Sequence, residues 1–349
     1  MPKPGKAPTL NDVAELAGVS RATASRALAG YGRISATTVR VVEIAANKLG
    51  YKPNEVARAM RAGKTKTIGL VVISDFTNAF FDRATKAIID AAKQNGYQTL
   101  VSHTDEQVSA EKRAVRTLLE KRVDGLIVVP SSDTDHEHLE PDQLGATPLV
   151  LIDRRLEGNF TSITTGDYQG SIEAVGYAHG RGHRQMGFLV AVPGLSRNTT
   201  SWPHIPISTV LDRANGFAAA IKKLKVKSKM VFCHDSQEGA ETAVEEMLKG
   251  VNPPTIIFTS NNDMLLAVLR VAGKLGITIG KKLSVVSFDD SPWTAAMSPA
   301  ITVISRPVDE LGSRAVSALL EQMRGEEPAG EVVMPTLLIE RDSVAKLRS

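Results

Sequence analysis

The sequence predicts an α/β protein with a small helical head and a large body built from two doubly wound parallel sheets. Three observations support this prediction. Residues 1–66 show helical spacing of apolar residues together with a strong basic excess. From residue 67 onward, short apolar runs alternate with amphipathic segments, which is typical of parallel strands covered by helices. The alternation restarts once, so the body should have two similar halves.

Composition separates the head from the body. The chain has 349 residues and is 42% hydrophobic, enough for the cores of two or three domains. Residues 1–66 hold 12 Lys and Arg against 4 Asp and Glu, whereas the remainder holds 30 against 34. This asymmetry indicates a polyanion-binding module joined to a second function. Without an apolar run of membrane-spanning length or a secretion signal, and with Cys233 as the single cysteine, a cytoplasmic location is expected.

The head is expected to contain three helices. Residues 9–28 (TLNDVAELAGVSRATASRAL) predict two short helices joined by a turn at Gly18, with Thr9 and Ser20 as their caps. A third helix should run over 35–49, with Val39, Val42, Ile44, Ala45 and Leu49 facing inward. Two short helices and a glycine-containing turn form the helix-turn-helix arrangement.

The second helix of the head carries the residues expected to read DNA. Its start presents arginine, whose guanidinium matches the O6 and N7 acceptors of guanine with two hydrogen bonds. The basic excess and the motif together favour DNA binding over a helical trio that only packs against a neighbour. The head residues expected at the DNA are Thr9, Ser20, Arg21, Ala22, Ser25 and Arg26.

The body is predicted strand by strand. The strands of the first half are TIGLVVIS, YQTLVSHT, GLIVV and PLVLID, with helices over 79–96 and near 110–122. The second half should begin after about residue 162 with SITT, a helix near 169–180 and MGFLVAV, followed by MVFC, TIIFTS and LSVVSF with helices at 213–224, 237–249 and 264–275. The tail, with ITVISR, a helix at 308–324 and VMPTLLIE, should return to both halves.

Polar residues at the ends of strands are the candidate ligand contacts, because ligands of doubly wound sheets bind beyond the carboxyl ends of the strands. Arginine, aspartate and asparagine near a few rings suit a polyhydroxylated ligand. Each residue singly could instead be a cap or a turn. The residues found in this position are Asn78, Phe80, Phe81, Asp153, Arg154, Asn261, Asn262 and Asp289.

Two long stretches, TLNDVAELAGVSRATASRAL and ISATTVRVVEIAANKLGYKPNEVARAMRAGKTKTIGLVV, resemble the lactose-repressor (LacI/GalR) family almost without gaps. The resemblance extends over the body and implies the two-lobed architecture of periplasmic binding proteins. It implies a sequence-specific DNA-binding transcriptional regulator, a repressor, that is not an enzyme. Its partners would be a near-palindromic double-stranded operator, a second copy of the chain and a small-molecule effector bound between the lobes. That effector would be a sugar, a nucleoside or a related metabolite that either tightens or releases DNA.

The resemblance also implies a hinge helix after the head. Residues 54–62 (NEVARAMRA) match a family segment that wedges a leucine into the minor groove, and Met60 stands at the leucine position. Asn54, Ala57, Met60 and Arg61 are therefore expected DNA contacts. The expected domains are the head at 1–52, hinge and linker at 53–66, and the body at 67–349, with a first lobe at 67–162 and 301–326 and a second lobe at 163–300 and 327–345.

Two motifs of the body carry the implied effector contacts. Arg197-Asn198-Thr199 resembles a motif that contacts the effector in the purine repressor, and the stretch 213–217 matches the family pattern R-x-x-G-F, whose arginine reaches the ligand. About ten extra residues near 200–211, including Trp202, form either a lid or plug at the cleft or a surface insertion. The effector residues expected are Asn78, Phe80, Phe81, Asp153, Arg154, Arg197, Thr199, Arg213, Asn262 and Asp289.

No cofactor or metal is expected. Gly63-Lys64-Thr65 lacks the earlier glycine of a phosphate-binding loop, since Arg58 stands there, and Gly180-Arg181-Gly182 follows a helix instead of a strand. The loop with Asp133, Asp135, His136 and His138 is interpreted as solvated polar residues. The alternative function is a sugar-binding or enzymatic α/β protein with an unrelated basic head.

Overall fold

The computed structural model describes residues 8–29, 32–51, 64–73, 79–234 and 236–347. The chain divides into two compact units, Met1–Thr65 and Lys66–Ser349. Four expected hinge contacts, Asn54, Ala57, Met60 and Arg61, and the expected effector residue Asn78 lie outside the described residues. Within the described ranges, no helix combines the length and the apolar character needed to cross a membrane.

The first unit contains the three predicted helices: α1 Leu10–Leu16, α2 Arg21–Ala29 and α3 Ala36–Leu49. Thr9 and Asp12 form a capping box at α1, and Gly50 ends α3 in the left-handed region at φ 64°. Ile44 is 62% exposed, so its expected inward position is wrong. The helical period places residues 42, 45 and 46 on one face and turns residue 44 away from it. The buried core is Val13, Ala14, Ala24, Ala27, Val42, Ala45 and Ala46.

The second unit is an α/β body whose strands and helices alternate as predicted. Its strands are β1 Thr67–Val72, β2 Gln98–His103, β3 Gly125–Val128, β4 Leu149–Ile152, β5 Thr161–Thr165, β6 Gln185–Val192, β7 Lys227–His234, β8 Ile256–Thr259, β9 Ser284–Phe288, β10 Thr302–Ser305, β11 Glu331–Met334 and β12 Leu337–Ile339. Its helices are α4 Ala79–Gln94, α5 Val108–Glu120, α6 Pro141–Leu144, α7 Asp167–Gly180, α8 Ser208–Leu224, α9 Gln237–Lys249, α10 Asn262–Lys274, α11 Pro292–Ala296 and α12 Val308–Met323.

The strands form two sheets, which define two lobes. The first sheet has the order β11-β5-β4-β3-β1-β2 and is parallel throughout. The second has the order β12-β10-β9-β8-β6-β7, and only β12 runs antiparallel. Helices cover both faces of each sheet: α4 and α12 oppose α5 in the first lobe, and α7 and α8 oppose α9 and α10 in the second. The predicted fold class is confirmed.

The expected lobe boundaries need correction, because the chain passes between the lobes three times. Strand β5, expected to open the second lobe, is hydrogen-bonded to β4 in the first sheet. Strand β10, expected in the first lobe, pairs with β9 in the second sheet, and β11 belongs to the first sheet. Apolar periodicity identifies a buried strand, but it does not identify the neighbour with which that strand pairs.

Candidate functional site

The expected DNA-contacting residues of the head fall into two groups. Arg21, Ala22 and Arg26 are exposed on α2, and Ser25 is half-buried on the same helix. Ser20 accepts a hydrogen bond from the backbone N–H of Thr23 at 3.1 Å, and so caps α2. The Thr9 hydroxyl similarly lies 2.7 Å from the Asp12 carboxylate. The caps fix where α2 begins, and the arginines therefore project from its first turns.

The head carries further exposed basic residues, on α3 and just before it. They were not among the predicted contacts, although the basic excess of the head pointed to them. A positive surface of this kind attracts phosphates without reading sequence. These residues are Arg33, Arg40 and Lys48.

The body contains a cavity of about 350 Å³ where the carboxyl ends of the strands of both sheets meet. Such an edge is where doubly wound sheets bind ligands. The cavity is lined by Ile73, Phe81, Asp105, Glu106, Asp153, Arg154, Ala191, Pro193, Ile207, Thr209, Val210, Arg213, Asn261, Asp263, Asp289 and Arg306.

One wall of the cavity is an arginine held by a carboxylate from each lobe. Arg306 stands where the chain leaves β10 for α12, and its Nη1 and Nε lie 2.6 Å from Asp153 Oδ1 and from Asp289 Oδ1. Its guanidinium lies 3.4 Å from the centre of the Phe80 ring. Burial opposes the charge of Arg306, but the two carboxylates outweigh this effect and raise its pKa above the ordinary value. Arg306 was missed by sequence reasoning, although it too directly follows a strand.

The two aspartates have matching backbone geometry. Asp153 follows β4 and Asp289 follows β9, and both adopt the left-handed region, with φ of 68° and 71°. Aspartate tolerates this conformation better than most residues, which accounts for its presence at both strand ends. The left-handed turns direct both carboxylates toward Arg306 and the cavity.

A second buried ion pair lies at another crossover. Arg213 of α8 contacts Asp167 Oδ2 through Nε and Nη2, both at 2.7 Å, and its Nη1 donates to the Ser260 carbonyl at 2.6 Å. Asp167, the first residue of α7, is fully buried and also accepts from Thr165 Oγ1 at 2.6 Å. Burial raises the pKa of Asp167, whereas Arg213 lowers it. Arg213 therefore lines the cavity with much of its donor capacity already used.

The R-x-x-G-F motif at 213–217 is explained by packing. A Cβ on Gly216 would lie 2.2 Å from the Tyr168 carbonyl oxygen, so only glycine allows α8 to approach α7 this closely. The Phe217 ring packs 4.9 Å from Phe188 and 5.4 Å from Phe258, measured between ring centres. The motif thereby presses α8 onto α7 and brings Arg213 to Asp167.

Arg154, which follows Asp153 in the chain, also lines the cavity. Its Nη1 donates to the Pro130 carbonyl at 2.9 Å, and its Nη2 forms an ion pair with Glu106. Its Nε is buried and lies 3.9 Å from Asp153 Oδ2, too far for a hydrogen bond, and it has no hydrogen-bond acceptor among the described residues. Glu106 and Asp105 follow β2, and both were missed by sequence reasoning although they stand at a strand end.

The asparagines after β8 are arranged differently from expectation. Asn262 does not line the cavity, because its side chain points to Ser291 and donates to the Ser291 hydroxyl at 2.6 Å. Its neighbours Asn261 and Asp263 line the cavity instead. Asn261 caps α10 by accepting from the Met264 N–H at 2.9 Å. At a helix start, adjacent residues point in different directions, and sequence spacing did not resolve which one faces inward.

Three other expected effector residues lie outside the cavity. Arg197 borders a separate groove on the second lobe, together with Asn198 and His234. Thr199 pairs with Phe232 through two backbone hydrogen bonds of 2.9 Å. Phe80 is buried beneath Arg306 and does not line the cavity, whereas Phe81 does.

The extra segment packs against the second lobe and reaches the cavity at one end. Ile205 and Ile207 are buried in the core of that lobe, and Ile207 also lines the cavity. Trp202 is 49% exposed and contacts the Phe232 ring, so it does not cover the cavity. His204 Nε2 lies 3.3 Å from Asp133 of the first lobe. Trp202 therefore does not plug the cavity, and the segment is packed onto the second lobe instead of forming a loose surface insertion.

The loop with the histidines is held by local pairs. His138 Nε2 lies 2.7 Å from the buried Glu111 carboxylate, and Asp135 pairs with Lys112 at 2.6 Å. Across the described part of the chain, no three His, Cys, Asp or Glu residues are grouped as a metal site would require.

Comparison with known proteins matches both units. Residues 9–54 match the family model of bacterial regulatory proteins, lacI family, and residues 175–344 match a periplasmic binding protein-like domain. The HTH-type transcriptional repressor PurR of Yersinia pestis bv. Antiqua (strain Antiqua) is 30% identical over 343 residues, 97% of each chain. PurR of Proteus mirabilis (strain HI4320) is also 30% identical, over 344 residues and 97% of each chain.

A solved structure shows the same architecture. The lac repressor dimer bound to operator and the anti-inducer ONPF superposes with a TM-score of 0.85 at 27% identity, covering 97% of this chain and 100% of that one. These likenesses span head and body together. They argue against the alternative of an unrelated head fused to a sugar-binding or enzymatic body.

Proposed function

Because the chain belongs to the lacI family of bacterial regulatory proteins, we propose that its cavity binds the effector and that α2 reads the operator. As a family member it is a sequence-specific DNA-binding transcriptional repressor under the control of a small molecule, and it is not an enzyme. We propose below which residues contact the DNA and which bind the effector.

For DNA, the proposed base contacts are Arg21, Ala22, Ser25 and Arg26, with Thr9 and Ser20 at the phosphates beside their helix starts. The lac repressor binds its operator as a dimer, and we assign the same assembly to this chain on a near-palindromic operator. A bacterial regulator of this kind works in the cytoplasm, where the chromosome lies. The residues 54–61 of the expected hinge complete the proposed interface.

For the effector, the observation that carries the proposal is the ring of charged strand-end residues around the 350 Å³ cavity. Asp153 and Asp289 each accept a hydrogen bond from Arg306 through one carboxylate oxygen, and their other oxygens keep lone pairs that can accept from a ligand. Arg154 Nε has no hydrogen-bond acceptor among the described residues. Carboxylate acceptors beside the one N–H of Arg154 that lacks an acceptor suit the hydroxyl groups of a sugar or nucleoside. Phe81 supplies a ring face for stacking.

The cavity also explains how a ligand can act on the protein. Its walls come from both sheets, and Arg306 joins Asp153 of one lobe to Asp289 of the other. A ligand that touches both lobes favours the arrangement in which both contacts form. The ligand binds two arrangements of the lobes with different free energies. That difference is the free energy available to change the affinity for the operator.

The test is a fluorescence anisotropy titration of the full-length protein on operator DNA obtained by selection from random sequence. Sugars and nucleosides are added singly, and an effector should change the operator Kd by about tenfold or more. Asp289→Asn should lose this response and keep operator binding. Asp142→Asn, exposed on α6 and outside the cavity lining, is the matched control and should respond normally. An unchanged effector response in Asp289→Asn would contradict the proposal that the effector binds in this cavity.

A further inference from the structure

The charges around the cavity do not balance. Every arginine of the lining is already paired: Arg306 with two aspartates, Arg154 with Glu106, and Arg213 with Asp167, which lies behind the wall. No arginine is therefore left over for a further anion. The carboxylates of the described lining are Asp105, Glu106, Asp153, Asp263 and Asp289.

Asp263 is the carboxylate with no counterion. It stands in the first turn of α10, and among the described residues it makes no salt bridge and no hydrogen bond. Burial raises the pKa of Asp263, and the charge of Asp289 raises it further. Although neighbouring atoms partly shield the side chain, it remains accessible from the cavity that it lines, so a ligand can reach it. Of these two carboxylates, Asp289 already has Arg306 as its cation, and among the described residues Asp263 is the one left without a counterion.

Arg154 supplies an independent sign that a ligand belongs here. Its side chain is only 7% exposed, yet its Nε has no hydrogen-bond acceptor among the described residues, since the Asp153 carboxylate lies 3.9 Å away. A buried donor without a partner costs free energy unless an acceptor arrives. The cavity therefore offers a donor on one side and an unneutralised carboxylate on another.

Building on the proposed effector role of the cavity, we propose that the effector is a small polyol with a cationic group, such as a protonated amine. Asp263 would bind the cation, with Asp289 adding to the attraction, and Arg154 Nε would donate to a hydroxyl oxygen. The amino sugars are a class with both features. Anionic sugars should be rejected, because the free charges of the lining are negative.

The test uses closely related sugars that carry a positive charge, no charge or a negative charge. Calorimetry of the full-length protein at pH 7 compares D-glucosamine and D-galactosamine with D-glucose and D-galactose, with the N-acetylated forms and with D-glucuronate. The amines should bind about tenfold tighter than the neutral forms, the difference expected for one partly screened ion pair. Asp263→Asn should reduce that preference to about twofold or less, and Asp142→Asn should leave it unchanged.

Each outcome decides the proposal. Equal affinity for amine and neutral sugar, a preference that survives in Asp263→Asn, or no binding by either amine would overturn it. Binding of neutral sugars without amine preference would leave the effector role of the cavity standing. If no sugar binds, the Asp289→Asn operator experiment decides that role separately.

Discussion

At the scale of single residues, the charged groups of the body have two different tasks. Arg213 and Arg306 are at most 6% exposed and hold carboxylates at points where the chain crosses between lobes. Asp263 and Arg154 Nε line the same cavity with bonding capacity unused. Arg213 and Arg306 therefore stabilise the structure around the cavity, whereas Asp263 and Arg154 Nε are available to a ligand.

Arg213→Met should therefore destabilise the body. It leaves the fully buried Asp167 carboxylate without its cation, and breaking such a pair costs about 3–5 kcal/mol. Urea unfolding measures the loss. The double variant Arg213→Met with Asp167→Asn removes the stranded charge and should be more stable than the single variant. A single variant as stable as the parent protein would contradict the structural role of the pair.

Arg21→Ala and Arg26→Ala should weaken operator binding by about 1–3 kcal/mol each and affect random DNA much less, because guanine recognition is lost. Anisotropy titrations on both DNAs check this. Lys48→Ala, at the end of α3, is the control, and it should weaken binding to the operator and to random DNA by the same factor. Equal losses on both DNAs would reassign the arginines to phosphates.

His183 should make stability depend on pH. It is fully buried, with Nδ1 2.8 Å from Thr255 Oγ1 and Nε2 3.1 Å from the Ala345 carbonyl, and burial lowers its pKa below the ordinary 6.5. The unfolded chain then binds the proton first, so stability falls as pH drops below 6.5, by up to about 1.4 kcal/mol per unit. Urea unfolding from pH 7.5 to 5.5 should show a smaller fall for His183→Gln. Parallel profiles would exclude His183 as the cause.

Most of the residues that sequence reasoning correctly placed at the cavity directly follow a strand, and Arg213 was placed there by its motif. Asp153, Arg154, Arg213 and Asp289 all line the cavity. Arg197 was expected at the cavity because its motif resembles a relative's motif, but in this chain it borders a separate groove. Side-chain direction and chain path depend on tertiary packing, which one sequence does not display.

At the scale of elements, close helix pairs determine the site. Gly216→Ala should destabilise the protein by about 1–3 kcal/mol, because the added Cβ would meet the Tyr168 carbonyl and force α8 from α7. Gly176→Ala on α7 is the control. Its added Cβ meets nothing within 4 Å, so it should be neutral or stabilise by about 0.5–1 kcal/mol. Thermal unfolding measures both, and equal effects would contradict the packing explanation.

The sequence predicted whether each element is a helix or a strand, but it predicted only in part which strands pair with each other. Strand β5 forms where a strand was predicted and is buried along its whole length, but it completes the first sheet instead of beginning the second. Strands β11 and β12 are separated by two residues and belong to different sheets. Pairing of this kind is decided by long-range contacts, which leave no periodic signal in the chain.

At the scale of the whole molecule, charge is divided between the units. Twelve basic residues lie in the first 66, whereas acidic residues exceed basic residues in the remainder. Operator binding should therefore fall steeply with salt, by roughly 10³–10⁵ between 50 and 200 mM if six to ten phosphates are contacted. Effector binding should change far less. An operator Kd that barely changes with salt would contradict the head as the DNA-binding unit.

The returning tail also governs how the protein can be made. Helix α12 and strand β11, near the end of the chain, cover and complete the first sheet, whose other strands are all synthesised before residue 166. A nascent chain therefore emerges with an unfinished first lobe and must keep its apolar surface from aggregating until residues 308–334 have been translated. Prematurely terminated chains would expose that surface permanently, which makes them ready substrates for cellular proteases.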